Sequence, residues 1–391
     1  MLPHRSTSRS FLPITASVFL AMSGFGMMVP ALPLRVAEVS AGAVAAGFLL
    51  SGFGLARLLV NLPAGLMSDR IGVVPTAQIG LAVLALGALL GGLPGGYALL
   101  FTGLALQGAG SAVFATAAMS ALAEIGGPER RGAAMSAFQS AFLLAISGGP
   151  VVGGWLVDAF GPRAPFLLHA ALVVLTYAGV ALFPRSATAL RPGGGGTWTL
   201  LARPLIAGSC AMGLAGFFTR SAVGWALVPA SAAHDFLLSP SQTGILVGVG
   251  TLTSLLVTPA IGRAIDRIGP SRVLVASGLF TAAALAAFVL LPQSWMLWTT
   301  TAAVMIGTTG IMSASSALVL TEATGAGTGA ALGLFRTAGD VGITLGPAGA
   351  PGLAAALGQA PLHGYSITAL SVLAALVILA AGFALRERAP A

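Results

Sequence analysis

Residues 65–72 read GLMSDRIG, and residues 262–269 read GRAIDRIG. The two octets share a leading glycine and the string Asp-Arg-Ile-Gly, and they lie 197 residues apart. The same offset carries Gly132, Ala133, Ala134 and Phe138 onto Gly329, Ala330, Ala331 and Phe335. It also carries Gly149-Pro150 onto Gly346-Pro347. One shift that holds over about 85 residues marks an internal duplication.

The surrounding composition names the solvent of this duplicated chain. Of its 391 residues, 57% are hydrophobic and 7% charged, against roughly 25% charged in a soluble domain. The mean hydropathy is +0.97. These values exclude a soluble enzyme and a disordered chain. A single anchor on a soluble domain is excluded too, because the apolar composition runs end to end. Transmembrane β-barrel strands alternate polar and apolar residues and give weaker hydropathy. The class left is an all-α polytopic membrane protein.

A bilayer core takes about 20 helical residues per crossing. Dividing the chain at charges and Gly/Pro clusters gives twelve spans, near 11–34, 43–64, 76–93, 97–123, 133–157, 165–183, 204–230, 242–261, 273–291, 295–320, 330–357 and 364–385. The first run follows Arg5 and Arg9 but is longer than the ~7–15 residues of a secretory h-region, so it reads as a retained helix.

The charges set the orientation. All 18 basic residues are arginine. With the N-terminus in the cytoplasm, thirteen arginines fall inside, Arg35 and Arg163 fall outside, and Arg57, Arg220 and Arg336 lie within spans. That bias predicts cytoplasmic N- and C-termini. It also accounts for the net charge of +8 without nucleic acid, since no basic patch carries interleaved aromatics. Cys210 stands alone, and His4, His169, His234 and His363 show no ligand spacing. Neither a metal nor a cofactor is expected.

Six spans per half give both halves the same orientation, a parallel repeat related by an axis along the membrane normal. The expected domains are a six-helix bundle over residues 1–184, a Gly193–Gly196-containing cytoplasmic linker over 185–203, and a second six-helix bundle over 204–391. A site at the repeat interface would be exposed to each side in turn as the halves rock. No loop can house a catalytic domain, and no phosphate-binding G-x-x-x-x-G-K-[ST] exists.

The octet at 65–72 resembles the signature between helices two and three of the major facilitator superfamily, and 262–269 is its degenerate copy. The resemblance covers essentially the whole chain and implies that family's twelve-helix fold with two pseudo-twofold-related bundles. It implies gating roles for Gly65, Asp69, Arg70 and Gly72, and for Gly262, Asp266, Arg267 and Gly269. Asp69 would face the N-terminus of helix eleven near Arg336 and latch the outward-open state, an acid at a helix N-terminus being favoured by the dipole. Val73 and Val74 replace the basic residues usual after the second glycine. On helix five, GGPVVGG at residues 148–154 resembles the motif of drug–proton antiporters. It implies a proline kink at Pro150 and close helix packing at Gly149, Gly153 and Gly154. Gln107-Gly108 resembles a further segment of these exporters, but Leu104 stands where they carry an arginine.

Ionisable residues inside a membrane are costly and mark candidate sites. Four are expected here: Arg57, about seven residues from the cytoplasmic end of its span, Arg220, Arg336 and Asp340. Arg336 and Asp340 stand i,i+4 on helix eleven and can pair. Asp340 is the carboxylate placed deep in a span and so the candidate proton carrier. Arg57 and Arg220 are candidates for substrate or gating, and three in-span arginines against one aspartate predict a cavity that favours neutral or anionic compounds. Adaptable lining is expected from Met27, Met28, Gln107, Ser111, Trp225, Met312 and Ser313. The expectation is a monomeric bacterial inner-membrane exporter of small, largely apolar molecules, driven by protons. The alternatives are an uptake symporter or facilitator for a sugar or metabolite, and a non-transporting sensor.

Overall fold

The computed structural model describes residues 7–39, 44–126, 131–180, 203–290, 294–322 and 328–356. The first half holds α1 (Thr7–Met28), α2 (Leu32–Glu38), α3 (Val44–Ile71), α4 (Val73–Gly92), α5 (Tyr97–Gly126), α6 (Arg131–Phe160) and α7 (Ala164–Gly179). The second half holds α8 (Pro204–Ser221), a π-helical turn (Ala222–Leu227), α9 (Val228–His234), α10 (Pro240–Ile268), α11 (Pro270–Leu290), α12 (Ser294–Glu322) and α13 (Thr328–Ala356). Such helices satisfy their own backbone polar groups, as a hydrocarbon environment requires.

The duplication read from two octets extends through the fold. Helices α1, α4, α5 and α6 each begin 197 residues before α8, α11, α12 and α13, and α3 begins 196 before α10. The turns between α3 and α4 and between α10 and α11 hinge on Gly72 (φ 89°) and Gly269 (φ 86°). A side chain at either would meet the steric penalty of a positive φ, which explains why this glycine recurs.

The sequence predicts twelve spans, and the described residues carry part of that set. Among the described residues, eight helices are long and apolar enough to cross a membrane, and Ala45–Asn61 and Ala164–Gly179 are shorter apolar stretches. In α3 the apolar stretch ends at Asn61 although the helix continues through Ser68, Asp69 and Arg70 to Ile71. Helix α13 is 29 residues long but interrupted by Arg336 and Asp340. The twelfth expected span, 364–385, and most of the linker lie outside the described residues. The first expected span also ends early. Pro30 and Pro33 break it, so α1 stops at Met28 and Pro33 sits in the first turn of α2.

The chain divides into two compact units. One comprises Met1–Gly42, Gly52–Arg191 and Ser239–Gly248, the other Ala43–Ser51, Pro192–Leu238 and Val249–Ala391. The first unit is centred on α1, α4, α5 and α7, with Val18, Leu81, Phe114, Leu122 and Val173 buried. Its most extensive seam is between α4 and α5, where a Cβ on Gly103 would stand 2.7 Å from the Gly91 nitrogen and one on Gly87 2.6 Å from that of Gln107. Small residues let membrane helices approach this closely. In the second unit Ile206, Cys210, Val319, Leu334 and Phe335 form a core between α8, α12 and α13.

Candidate functional site

The mid-helix charge of the first unit is on α3. Because α3 runs on to Ile71, Arg57 lies fourteen residues from that end, about 21 Å at 1.5 Å per residue. It is mid-helix, not seven residues from the end as expected from the sequence. Its Nη1 donates to Ser111 Oγ on α5 at 3.2 Å, and Ser111 in turn donates to the Gly108 carbonyl at 2.8 Å.

Arg220 holds the corresponding depth in the second unit. Its Nη1 stands within bonding distance of Ser254 Oγ on α10 (3.1 Å) and, on α12, of the Met305 carbonyl (3.3 Å), Thr309 Oγ1 (3.3 Å) and Thr308 Oγ1 (3.5 Å). Each hydroxyl spends its own proton on a carbonyl. Ser254 and Thr309 donate to Met305 O at 3.1 and 2.7 Å, and Thr308 donates to Val304 O at 2.8 Å. Their lone pairs are thereby turned toward the guanidinium. Two residues beyond Arg220 the helix widens into the π turn, a feature often found at functional sites.

The other expected lining residues separate into two groups. Trp225, Met312 and Ser313 are half-buried, Trp225 within the π turn. Met27 and Met28 are buried in α1. Gln107 is wholly buried. Its Nε2 donates to Gly87 O at 3.3 Å, while its Oε1 lies 3.2 Å from Nδ1 of His169. His169 Nε2 meets Ala21 O at 3.0 Å. This buried chain joins α4, α5, α7 and α1, and Gln107 serves it.

On α6, the close packing expected of GGPVVGG is present. A Cβ on Gly149 would stand 2.6 Å from Ser23 O and 2.9 Å from the Gly26 Cα of α1, and one on Gly153 would collide with the Met27 backbone. A Cβ on Gly154 would collide with the start of α10 at Pro240 and Ser241, and Gly244 lies against Pro150. Asp158 Oδ2 accepts the Ser241 amide at 3.0 Å, a carboxylate at a helix N-terminus.

At the turn motifs, a Cβ on Gly65 or Gly262 would have no described atom within 4 Å, so φ at Gly72 and Gly269 carries the motif's steric demand. Arg70, Asp266 and Arg267 are exposed. The Asp69 side chain lies outside what is described. On α13, Arg336 is exposed and Asp340 half-buried, one helical turn apart.

Sequence reading missed three features. The two arginines outside the positive-inside pattern both meet Glu38. Arg35 pairs with it, and Arg163 Nε lies 3.4 Å away. Arg35 is 1% exposed and donates to the carbonyls of Gly91 and Leu93, closing the end of α4. His169 gave no ligand spacing, yet a lone histidine in an apolar helix was a signal for a buried polar partner. The Ser254–Thr308–Thr309 cradle could have been found by carrying Arg57 and Ser111 forward by the repeat offset.

Two repeats of long apolar helices, each holding an arginine against hydroxyls of neighbouring helices, make a polytopic membrane fold. The chain belongs to the Major Facilitator Superfamily, which it matches over residues 14–224 and 209–391. It is 25% identical over 316 residues to a multidrug resistance protein B homolog of Mycobacterium tuberculosis, covering 65% of this chain and 58% of that protein. It is 26% identical over 167 residues to multidrug resistance protein 2 of Bacillus subtilis, covering 42% and 41%. It is 32% identical over 150 residues to the synaptic vesicular amine transporter of Mus musculus, covering 38% and 29%. The chain thus spans about half the length of the curated relatives it matches. In fold it is similar to a mutant of the nucleoside transporter NupG, with a TM-score of 0.76 at 14% identity over 96% of this chain and 99% of that one. The peptide transporter POT gives 0.76 at 16% identity over 97% and 94%. These solved proteins are transporters, not enzymes.

Proposed function

We propose that this chain is a secondary active transporter of the bacterial inner membrane, with both termini cytoplasmic, that exports small, largely apolar, neutral or anionic compounds. Export runs by proton antiport and alternating access, in a monomer, without cofactor or metal. The observation that carries export is residues 148–154, whose glycines take α6 into backbone contact with α1 and with the start of α10. The multidrug-resistance relatives support the same direction. Arg57, Arg220, Trp225, Met312 and Ser313 are the proposed substrate residues, and the glycine turns at 65–72 and 262–269 the gates. Asp340, with Arg336, is the proposed proton carrier.

The test is proton flux in everted vesicles on addition of candidate compounds. Compound-driven proton release from the vesicle lumen is expected, and Asp340→Asn should abolish uphill export while leaving downhill movement. Unchanged uphill export by that variant removes Asp340 from the mechanism. A second reading, an uptake symporter or facilitator, draws on Leu104, fully buried where exporters carry an arginine. Proton flow in the same direction as the compound would favour a symporter, and equilibration without proton movement a facilitator.

A further inference from the structure

We propose that Arg220 and its hydroxyl cradle bind a single oxyanion group, a carboxylate or its like, on the transported compound. The inference rests on the transport reading above and narrows its substrate class to organic monoanions.

The geometry carries the assignment. All four acceptors near Arg220 crowd one nitrogen, Nη1, which has two hydrogens to give. None of the four is charged. Among the described residues, Arg220 therefore sits at mid-helix with its charge solvated by neutral dipoles alone. Its Nη2 and Nε have no hydrogen-bond partner there, and neither is among the sealed, unpartnered polar atoms, which include Arg35 Nε and Thr219 Oγ1. They are open. Nη1 anchors the guanidinium, and the free edge presents Nε and Nη2, the planar fork that matches the two oxygens of a carboxylate.

Arg35 shows the alternative use of a buried arginine in the same chain. Its donors go to the Gly91 and Leu93 carbonyls and to Glu38, so its charge is already balanced. Arg220 lacks that balance. A buried cation without a counter-ion is expensive, and the cost is recovered when a ligand supplies the missing charge.

The internal repeat isolates Arg220 as an addition. Thr308 stands 197 residues after Ser111, and Ser254 stands 197 after Arg57. Both halves thus place a polar pair between α3 and α5 or between α10 and α12. In the first half the guanidinium comes from that pair, on α3. In the second half the pair is two hydroxyls, and the guanidinium enters from α8, where the first half has Ser23. The π turn that follows Arg220 adds one residue per turn to the helix just beyond it.

The test uses three fluorescent isosteres: naphthoate, naphthamide and naphthylmethylamine, one anionic, one neutral and one cationic. Binding to the purified full chain in detergent and transport into proteoliposomes are read separately. Naphthoate should bind about tenfold or more tighter than the other two, and Arg220→Gln should erase that preference by weakening naphthoate far more than naphthamide. Equal or tighter binding of the amine by the unmutated chain overturns the proposal. So does a naphthoate preference that survives Arg220→Gln, and so does no binding of any of the three. If Arg220→Gln does not yield a monodisperse protein, Thr308→Val with Thr309→Val takes its place. It should weaken naphthoate binding about three- to tenfold and spare naphthamide, whereas equal losses for both overturn the proposal. Naphthoate bound but not carried would leave the anion site standing and remove the transport reading instead.

Discussion

The two halves share a scaffold and differ in what they bury. Most helix starts, the turn glycines Gly72 and Gly269, and the close contacts of Gly149 and Gly346 recur at one offset. Gly149 lies against Ser23 and Gly26 of α1, and Gly346, at the same offset, against Phe218 and Ser221 of α8. The polar interior recurs only as the pair Arg57–Ser111 matched by Ser254–Thr308. The first half buries Gln107 with His169 and Arg35 with Glu38. At the positions matching Gln107 and Arg35 the second half has Val304 and Ala232, and its buried polar cluster is the Arg220 cradle. Duplication preserved backbone packing, where every change is costly, and left the polar groups free to diverge in each copy.

The largest effect that would sharpen this comparison comes from the shared packing. Gly149→Leu and Gly346→Leu each force a side chain into backbone already at contact distance, and such overpacking costs about 1–3 kcal/mol or more. Both variants should lose most folded, monodisperse protein in size-exclusion chromatography. A sharp difference between them would break the equivalence of the two seams.

The second effect separates the halves. His169→Ala removes a side chain that fills the space over Gly24 and leaves Ala21 O and Gln107 Oε1 without their donor or neighbour. The cost should be about 2–4 kcal/mol, from cavity and lost hydrogen bonds together. It should appear as faster proteolysis within residues 1–184 than within 204–391. Uniform loosening of both halves would argue against a network confined to the first.

The smallest effect returns to the octets. Gly72→Ala and Gly269→Ala each place a Cβ at a positive φ, at Gly72 with an extended ψ of 167°, and should cost about 1–3 kcal/mol. Matched drops in thermal midpoint are expected, since neither turn gains a close contact. Unequal drops would show that one turn also bears on gating.

These glycines also show what a sequence yields readily. A turn that needs φ > 0 admits little but glycine, so Gly72 and Gly269 were legible as a pair, and with them the repeat. The glycine run at 148–154 was legible for the same reason: contact at backbone distance permits few residues. The site was less so. Arg57 and Arg220 stood out as charges in apolar runs, but the depth of Arg57 depended on where α3 ends, and helix ends are weakly specified. Ser254, Thr308 and Thr309 are ordinary hydroxyl residues that any membrane helix carries. Only their convergence on one guanidinium distinguishes them, and convergence is a property of three helices together. Gln107 was misplaced for a related reason, because a buried amide and a cavity amide look alike until the partner, His169, is seen.

The cluster of Arg35, Glu38 and Arg163 bears on how the chain enters the membrane. In the proposed orientation the α1–α3 hairpin is carried outward during insertion, against a potential that is negative inside and works against each positive charge by about 2.3 kcal/mol per 100 mV. Glu38, three residues after Arg35, lets that segment cross without net charge. It then receives Arg163 when a later hairpin arrives. A single acid thus excuses two arginines from the rule that keeps the other loops cationic on one side only, and the order of synthesis decides which is excused first.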